Sequence, residues 1–139
     1  MSFRIAQTQD FQTCLDLRIR VFVQEQGIPL EEEVDALDPL AVHLLAWDGD
    51  SAVGTARVLI DGDTGKIGRI CVLPQVRGAG LGRDLVLAGM DVLRQQGADT
   101  AHLAAQVPAL GFYETLGFAA YGPEFDDGGI PHRWMRRPL

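Results

Sequence analysis

The stretch Ile70-Cys71-Val72-Leu73-Pro74-Gln75-Val76-Arg77-Gly78-Ala79-Gly80-Leu81-Gly82-Arg83 decides how this chain folds. An apolar, β-branched run stops at Pro74, glycines follow at every second position, and a helical period begins at once. Leu81, Leu85, Val86, Gly89, Val92 and Leu93 line one helix face, and Gly97 ends it. Strand, glycine turn and helix in that order make an anion site. The glycines let backbone approach a ligand and take positive φ, and the first helical N–H groups point into the same space. Arg77 and Arg83 can add charge-assisted bonds to phosphate oxygens. The anion is not held by a P-loop, because no GxxxxGK[ST] exists. The dinucleotide fingerprint GxGxxG fails too, since Arg83 stands where the third glycine belongs. A competing reading is a glycine turn that merely packs a helix on a sheet.

Outward from this stretch the elements are legible by period. Phe3 to Ala6 alternates as a short strand, and Asp10 is placed to cap a helix that fades near Gly27 and Pro29. An acidic connection, Ile28 to Leu40, carries Glu31, Glu32, Glu33, Asp35 and Asp38 and no basic residue. Residues 41–47, 53–60 and 66–73 read as a three-stranded antiparallel meander punctuated by Asp-Gly turns. After the long helix, Thr100 to Ala105 is a strand, and a short helix from Pro108 to Leu116 closes on Gly117. Phe118 to Tyr121 is a strand, Gly122 to Pro131 a loop, and His132 to Arg136 a last strand. The expectation is one α/β (α+β mixed) domain over residues 1–139. Its sheet is mixed and mostly antiparallel, of about six or seven strands, with helices on both faces.

Composition narrows the classes. At 139 residues, 47% hydrophobic and 22% charged, the chain is globular in type. A net charge of −7 argues against nucleic acid or an anionic membrane as partner. No apolar window nears the ~20 residues of a membrane span, and the N-terminus has no signal-peptide pattern. Cys14 and Cys71 lie in apolar runs and read as reduced, buried thiols of a cytoplasmic protein. His43, His102 and His132 have no metal-ligand spacing, so no metal is expected.

A second constellation joins the first. Phe112-Tyr113-Glu114-Thr115-Leu116-Gly117-Phe118 is a helix closed by glycine that enters a strand. With Arg77-Gly78-Ala79-Gly80-Leu81-Gly82 it resembles the paired (Q/R)xxGx(G/A) and FYxxxGF motifs of the GNAT N-acetyltransferases. Arg20 to Gln26, Glu33-Val34-Asp35 with Asp38, Ala41-Val42-His43, and Gly129-Ile130-Pro131-His132 resemble the ElaA-like branch of that superfamily. The resemblance implies acetyl-CoA as donor, with its pyrophosphate on the amides of residues 78–83 and its pantetheine beside Ile70-Cys71-Val72. It implies that this strand and the next splay apart. It puts Gln106 where relatives often carry a cofactor-binding Asn, and a backbone N–H near Val72 on the thioester carbonyl. Tyr113 takes the place of the general acid that protonates the leaving thiolate.

The acceptor side is less defined. Glu25, Glu33, Asp35, His43 and His132 are candidates for binding the amine or removing its proton, each with a structural alternative. The acidic connection suggests a cationic acceptor, such as a polyamine or a lysine side chain; a merely solvated loop is the alternative. Cys71, beside the thioester, raises an acyl-cysteine route against direct attack in a ternary complex. An acyl-CoA sensor or partner-binding module without turnover is the competing function. Edge strands near the C-terminus allow a homodimer.

Overall fold

The computed structural model describes residues 3–139. Seven strands form one sheet in the order β1-β2-β3-β4-β5-β7-β6. They are β1 (Phe3–Thr8), β2 (Val42–Asp48), β3 (Ser51–Asp61), β4 (Thr64–Val72), β5 (Thr100–Gln106), β6 (Ala119–Asp127) and β7 (Ile130–Pro138). All neighbours are antiparallel except β4 and β5. The expected mixed, mostly antiparallel sheet is what forms.

Helices cover both faces, as the pattern of β3 dictates. Ala56 and Val58 lie with Gly54 on the face of α3 (Leu81–Gln95), where a Cβ on Gly54 would stand 3.1 Å from Leu85 Cδ1. The alternate residues Thr55 and Arg57 face α1 (Phe11–Arg18). Asp10 caps α1 by accepting from the Thr13 amide at 3.2 Å. The chain then widens into a π-helical segment, Ile19–Glu25, where Gln26 N–H bonds Val21 O. This segment and α2 (Leu30–Glu33) roof the sheet on the α1 side.

The C-terminal hairpin differs from expectation. Residues 122–131 are not a loop: β6 runs on to Asp127, and Pro131 pairs with Asp126 within β7. Two glycines alone make the turn, Gly128 at φ 63° and Gly129 at φ 83°, the left-handed pair that a tight hairpin requires. Gly122 and Pro123 fall in a register shift between Tyr121 and Phe125, which absorbs them without ending the strand.

The helix α3 sits unusually low on the sheet because glycines remove the intervening side chains. A Cβ on Gly65 would lie 2.0 Å from Leu93 Cδ2, and one on Gly89 3.1 Å from Ile67 Cδ1. Leu93 and Ile67 are fully buried, so neither can swing clear. Gly65→Ala is therefore expected to destabilise the protein by about 1–3 kcal/mol through overpacking. Urea unfolding checks this, and adding Leu93→Ala should return part of the loss; an unchanged midpoint in the single variant would refute the close approach.

Candidate active site

The site grows from a defect in β4. Thr55 pairs with Cys71 but Arg57 pairs with Gly68, so β4 spends three steps where β3 spends two. The extra residue is a bulge at Arg69, which holds φ at 50°. Beyond it β4 turns away from its other neighbour. The parallel pairing of β4 with β5 stops at Lys66 and His102, and the two strands diverge. A cavity of about 290 Å³ fills the gap, with Ile70, Cys71 and Val72 on one wall and Ala104 and Gln106 on the other. Leu73 N–H bonds Val53 O on β3. By the alternation of strand amides, Val72 N–H faces the opposite way, into the gap.

One end of the gap leads to the glycine turn. Pro74–Val76 makes one 3-10 turn, Gly78 and Gly80 take φ of 85° and 86°, and α3 begins. The N-cap is Gly80, which has no side chain to cap with, and the first helical bond is Asp84 N–H to Gly80 O. The amides of Leu81, Gly82 and Arg83 therefore lack intrahelical partners. Gly82 is itself helical, contrary to the positive φ expected for it. A Cβ there would meet Phe112 Cζ at 3.9 Å, an ordinary contact, so neither φ nor crowding requires glycine at this position.

Arg77 is engaged by the protein. Its Nε donates to Val72 O at 3.0 Å, and its two terminal nitrogens clasp the Glu25 carboxylate at 2.7 and 2.8 Å. The hydrogen bonds from Arg77 hold the Glu25 pKa down. Glu25 thus tethers the π-helical segment to the end of β4. Gln106 donates to Gln26 Oε1 at 2.9 Å and bridges the mouth.

Tyr113, on α4 (Leu110–Glu114), reaches the cavity wall. Burial pushes its phenol up to about 12, and no hydrogen bond to its hydroxyl counteracts that. Cys71 is 5% exposed, and burial pushes its thiol up to about 12 as well. At neutral pH only ~1 in 10⁵ of either group is ionised. Cys71 is therefore an inert thiol, which leaves the acyl-cysteine route without a nucleophile. His132 is 7% exposed and lines the cavity; its Nδ1 lies 2.7 Å from Ile130 O. A carbonyl can only accept, so Nδ1 is the donor of this bond. His43 is elsewhere, edge-on to Phe11 with Nε2 on Asp38 O, and does not line the cavity.

The acidic connection is not the open anionic surface its sequence suggests. Arg18 binds Glu33 at 2.8 Å and Asp38 at 2.9 Å, with all three side chains under 5% exposed. Arg57 binds Asp35 at 2.7 Å and Asp38 at 3.0 Å, and Arg69 adds contacts to Glu33 and Asp35 at 3.3 Å. Three arginines neutralise three of the five carboxylates. Burial raises the Glu33 pKa more than its arginines lower it. At Asp38 burial is outweighed by the bonds from Arg18 and Arg57, and the carboxyl falls to about 2. Arg18, Arg57, Arg69 and Lys66 are the functional-region residues that sequence reading missed. The signal available was an arginine within each of two apolar periods. Among the described residues no group of His, Cys, Asp or Glu is arranged for a metal, and no helix is long and apolar enough to cross a membrane.

The acetyltransferase (GNAT) domain family matches residues 12–139. A Bacillus subtilis protein provisionally named an acetyltransferase is 42% identical over 137 residues, covering 96% of this chain and 93% of its own. Protein ElaA of Escherichia coli is 33% identical over 130 residues, covering 90% and 85%. A crystal structure of an acyl-CoA N-acyltransferase from Pseudomonas aeruginosa superposes with a TM-score of 0.85 at 30% identity, covering 98% of each chain.

The depressed Asp38 pKa sets a pH dependence. A carboxyl whose folded pKa of about 2 lies below its ordinary 3.8 stabilises the fold above pH 3.8, and the benefit is lost as pH falls toward 2. The shift corresponds to about 2 kcal/mol. Glu33 titrates with the opposite sign and offsets part of it. Asp38→Asn is expected to cost about 3–5 kcal/mol at pH 7, by leaving Arg18 and Arg57 underpaired, and to flatten the acid limb. Denaturant unfolding at pH 7, 5 and 3 checks both; a parallel loss in both proteins at pH 3 would exclude Asp38 as its source.

Proposed function

The chain belongs to the GNAT acetyltransferases, in their ElaA-like branch, and from that premise we propose that it moves an acetyl group from acetyl-CoA to a primary amine by direct attack in a ternary complex. The observation that carries the reading is the gap between β4 and β5. One strand there is left with unpaired backbone groups, beside a phenol and a histidine nitrogen, at the foot of an uncapped helix N-terminus.

Each part then has a task. The amides of Leu81, Gly82 and Arg83, with the turn Gly78-Ala79-Gly80, hold the donor's pyrophosphate against the positive end of α3. The open edge of Ile70, Cys71 and Val72 takes the pantetheine arm as an added strand. Val72 N–H polarises the thioester carbonyl; a donor so placed is worth ~3–4 kcal/mol in acyl transfer. His132 Nε2 accepts the proton that the amine must lose before or during attack.

Tyr113 supplies the proton to the departing sulfur. An ordinary thiolate, with a reference pKa of ~8.5, would be too weak a base to take a proton from a phenol at about 12. The groove changes that comparison. Burial lifts the Cys71 thiol to about 12 in the same wall. A sulfur brought there meets the same low polarity, which raises its basicity toward that of the phenol and favours the transfer. The proton taken by His132 leaves to solvent and the phenol is recharged from it.

Acetyl-CoA should raise the melting temperature, and an amine panel should then give acceptor-dependent release of CoA. Binding without release from any amine would make the protein a sensor and defeat the proposal. Tyr113→Phe is expected to lower kcat by about 10²–10³-fold with KM for acetyl-CoA little changed. His132→Asn, which keeps a donor toward Ile130 O, should lower kcat/KM by about 10²-fold. Cys71→Ala should retain turnover, and loss of it with the fold intact would restore the acyl-cysteine route.

A further inference from the structure

The cavity ends in a basic pole that acetyl transfer as described does not use. Arg57 enters from β3 with its side chain 3% exposed. Its ion pairs to Asp35 and Asp38 both leave through Nη1. The opposite edge of the guanidinium, Nε and Nη2, has no such bond, and Nε is the one buried side-chain polar atom without a partner among the described residues. Buried donors are seldom left unpaired, because each costs about 1–3 kcal/mol. The free edge is also the planar fork that holds a carboxylate by two parallel bonds.

Lys66 stands beside it on the same face of β4. Its stem passes over Gly68, where a Cβ would lie 4.0 Å from Lys66 Cε, and its Nζ is 5.0 Å from the Trp134 ring. No carboxylate lies within ion-pair distance of it among the described residues. Burial first, and then repulsion from Arg57 and Arg69, lowers its pKa, while Asp127 and Asp35 oppose the drop. The arginines and carboxylates of the buried network cancel three against three. Lys66 is a fourth cation in the cavity wall, and Asp127, which lines the same cavity, opposes it from beyond ion-pair distance.

Resting on the acetyl-transfer reading of this cavity, we propose that the acceptor is an amine whose far end carries a carboxylate, seated on the Nε–Nη2 edge of Arg57 and the ammonium of Lys66. A polyamine would place a second cation against two cations already there. Gly68, opposite Arg57, and Val72, at the thioester, are four residues apart on β4, about 13 Å at most by strand rise and less across a bulge. That span leaves room for several bonds between amine and carboxylate, as in an ω-amino carboxylate.

Calorimetric titration of the CoA-saturated protein with 6-aminohexanoate, 6-aminohexanamide and 1,6-diaminohexane reads the pole without turnover. The carboxylate should bind at least about tenfold more tightly than the amide, with the diamine weakest. Lys66→Gln should bring carboxylate and amide to within about twofold of each other. Arg57→Lys keeps a cation for Asp38 but loses the fork, and should do the same. Equal binding of carboxylate and amide, or a preference that survives Lys66→Gln, overturns the proposal, and Lys66→Gln decides alone if Arg57→Lys does not fold. CoA release with the same amines separates the two readings. Carboxylate-selective binding without release keeps the pole and removes acetyl transfer; release favouring the diamine keeps acetyl transfer and removes the pole.

Discussion

One extra residue in β4 governs the molecule. Arg69 occupies the left-handed region, which costs a non-glycine residue about 1–2 kcal/mol. Its side chain holds the bulge from the other end. The guanidinium donates to Glu33 O at 3.3 Å and Glu32 O at 3.4 Å and meets Asp35 at 3.3 Å. The strain is therefore fixed by α2 and the acidic connection, which belong to a distant part of the sequence. A regular β4 would pair with β5 along its whole length and close the cavity. The fold keeps an open sheet interior because an ion network pins a strained residue where the strands part.

That dependence explains the charge distribution. The acidic connection carries no cation of its own, so its sequence reads as a solvated loop or a lure for cationic ligands. Its cations come from α1, β3 and β4, fifteen to thirty-six positions away. A buried arrangement of this kind gains little over apolar packing, and removal of a single member is costly because it strands a charge. Its value here is positional: it docks the connection over the bulge and holds Arg57 by Nη1 in the cavity wall. The acid stability of the fold and the geometry of the site then draw on the same carboxylates.

What the sequence made legible was local. The glycine turn, the α3 stripe, the cap at Asp10 and the closure at Gly117 each follow from residues within a few positions of one another. The two motifs that carried the family resemblance are local in the same sense, and the family match bears that resemblance out. The strand at 119–127 runs past Tyr121, where its sequence suggests an end, because Gly122 and Pro123 resemble turn residues, while the true turn needs only Gly128 and Gly129. The partners of Arg18, Arg57 and Glu25 were not legible, since each pair joins elements that touch only after the sheet has formed. Which histidine nitrogen donates was hidden for the same reason. His132 is set by the carbonyl of Ile130, two residues back, but only because the hairpin bends the chain onto itself.

Burial supplies the remaining step, because it acts on three groups in one direction. The phenol of Tyr113 and the thiol of Cys71 are both held neutral, and the ammonium of Lys66 is made easier to discharge. A cavity wall with this character resists creating charge and rewards cancelling it. The unpaired edge of β4 faces water until an extended ligand replaces it with backbone-like hydrogen bonds, as an added strand would. Closing that edge also removes water from around Tyr113 and His132, which line the same cavity, and strengthens their electrostatic interactions with a ligand there. The open strand edge and the low-polarity wall thus meet beside a single bulge.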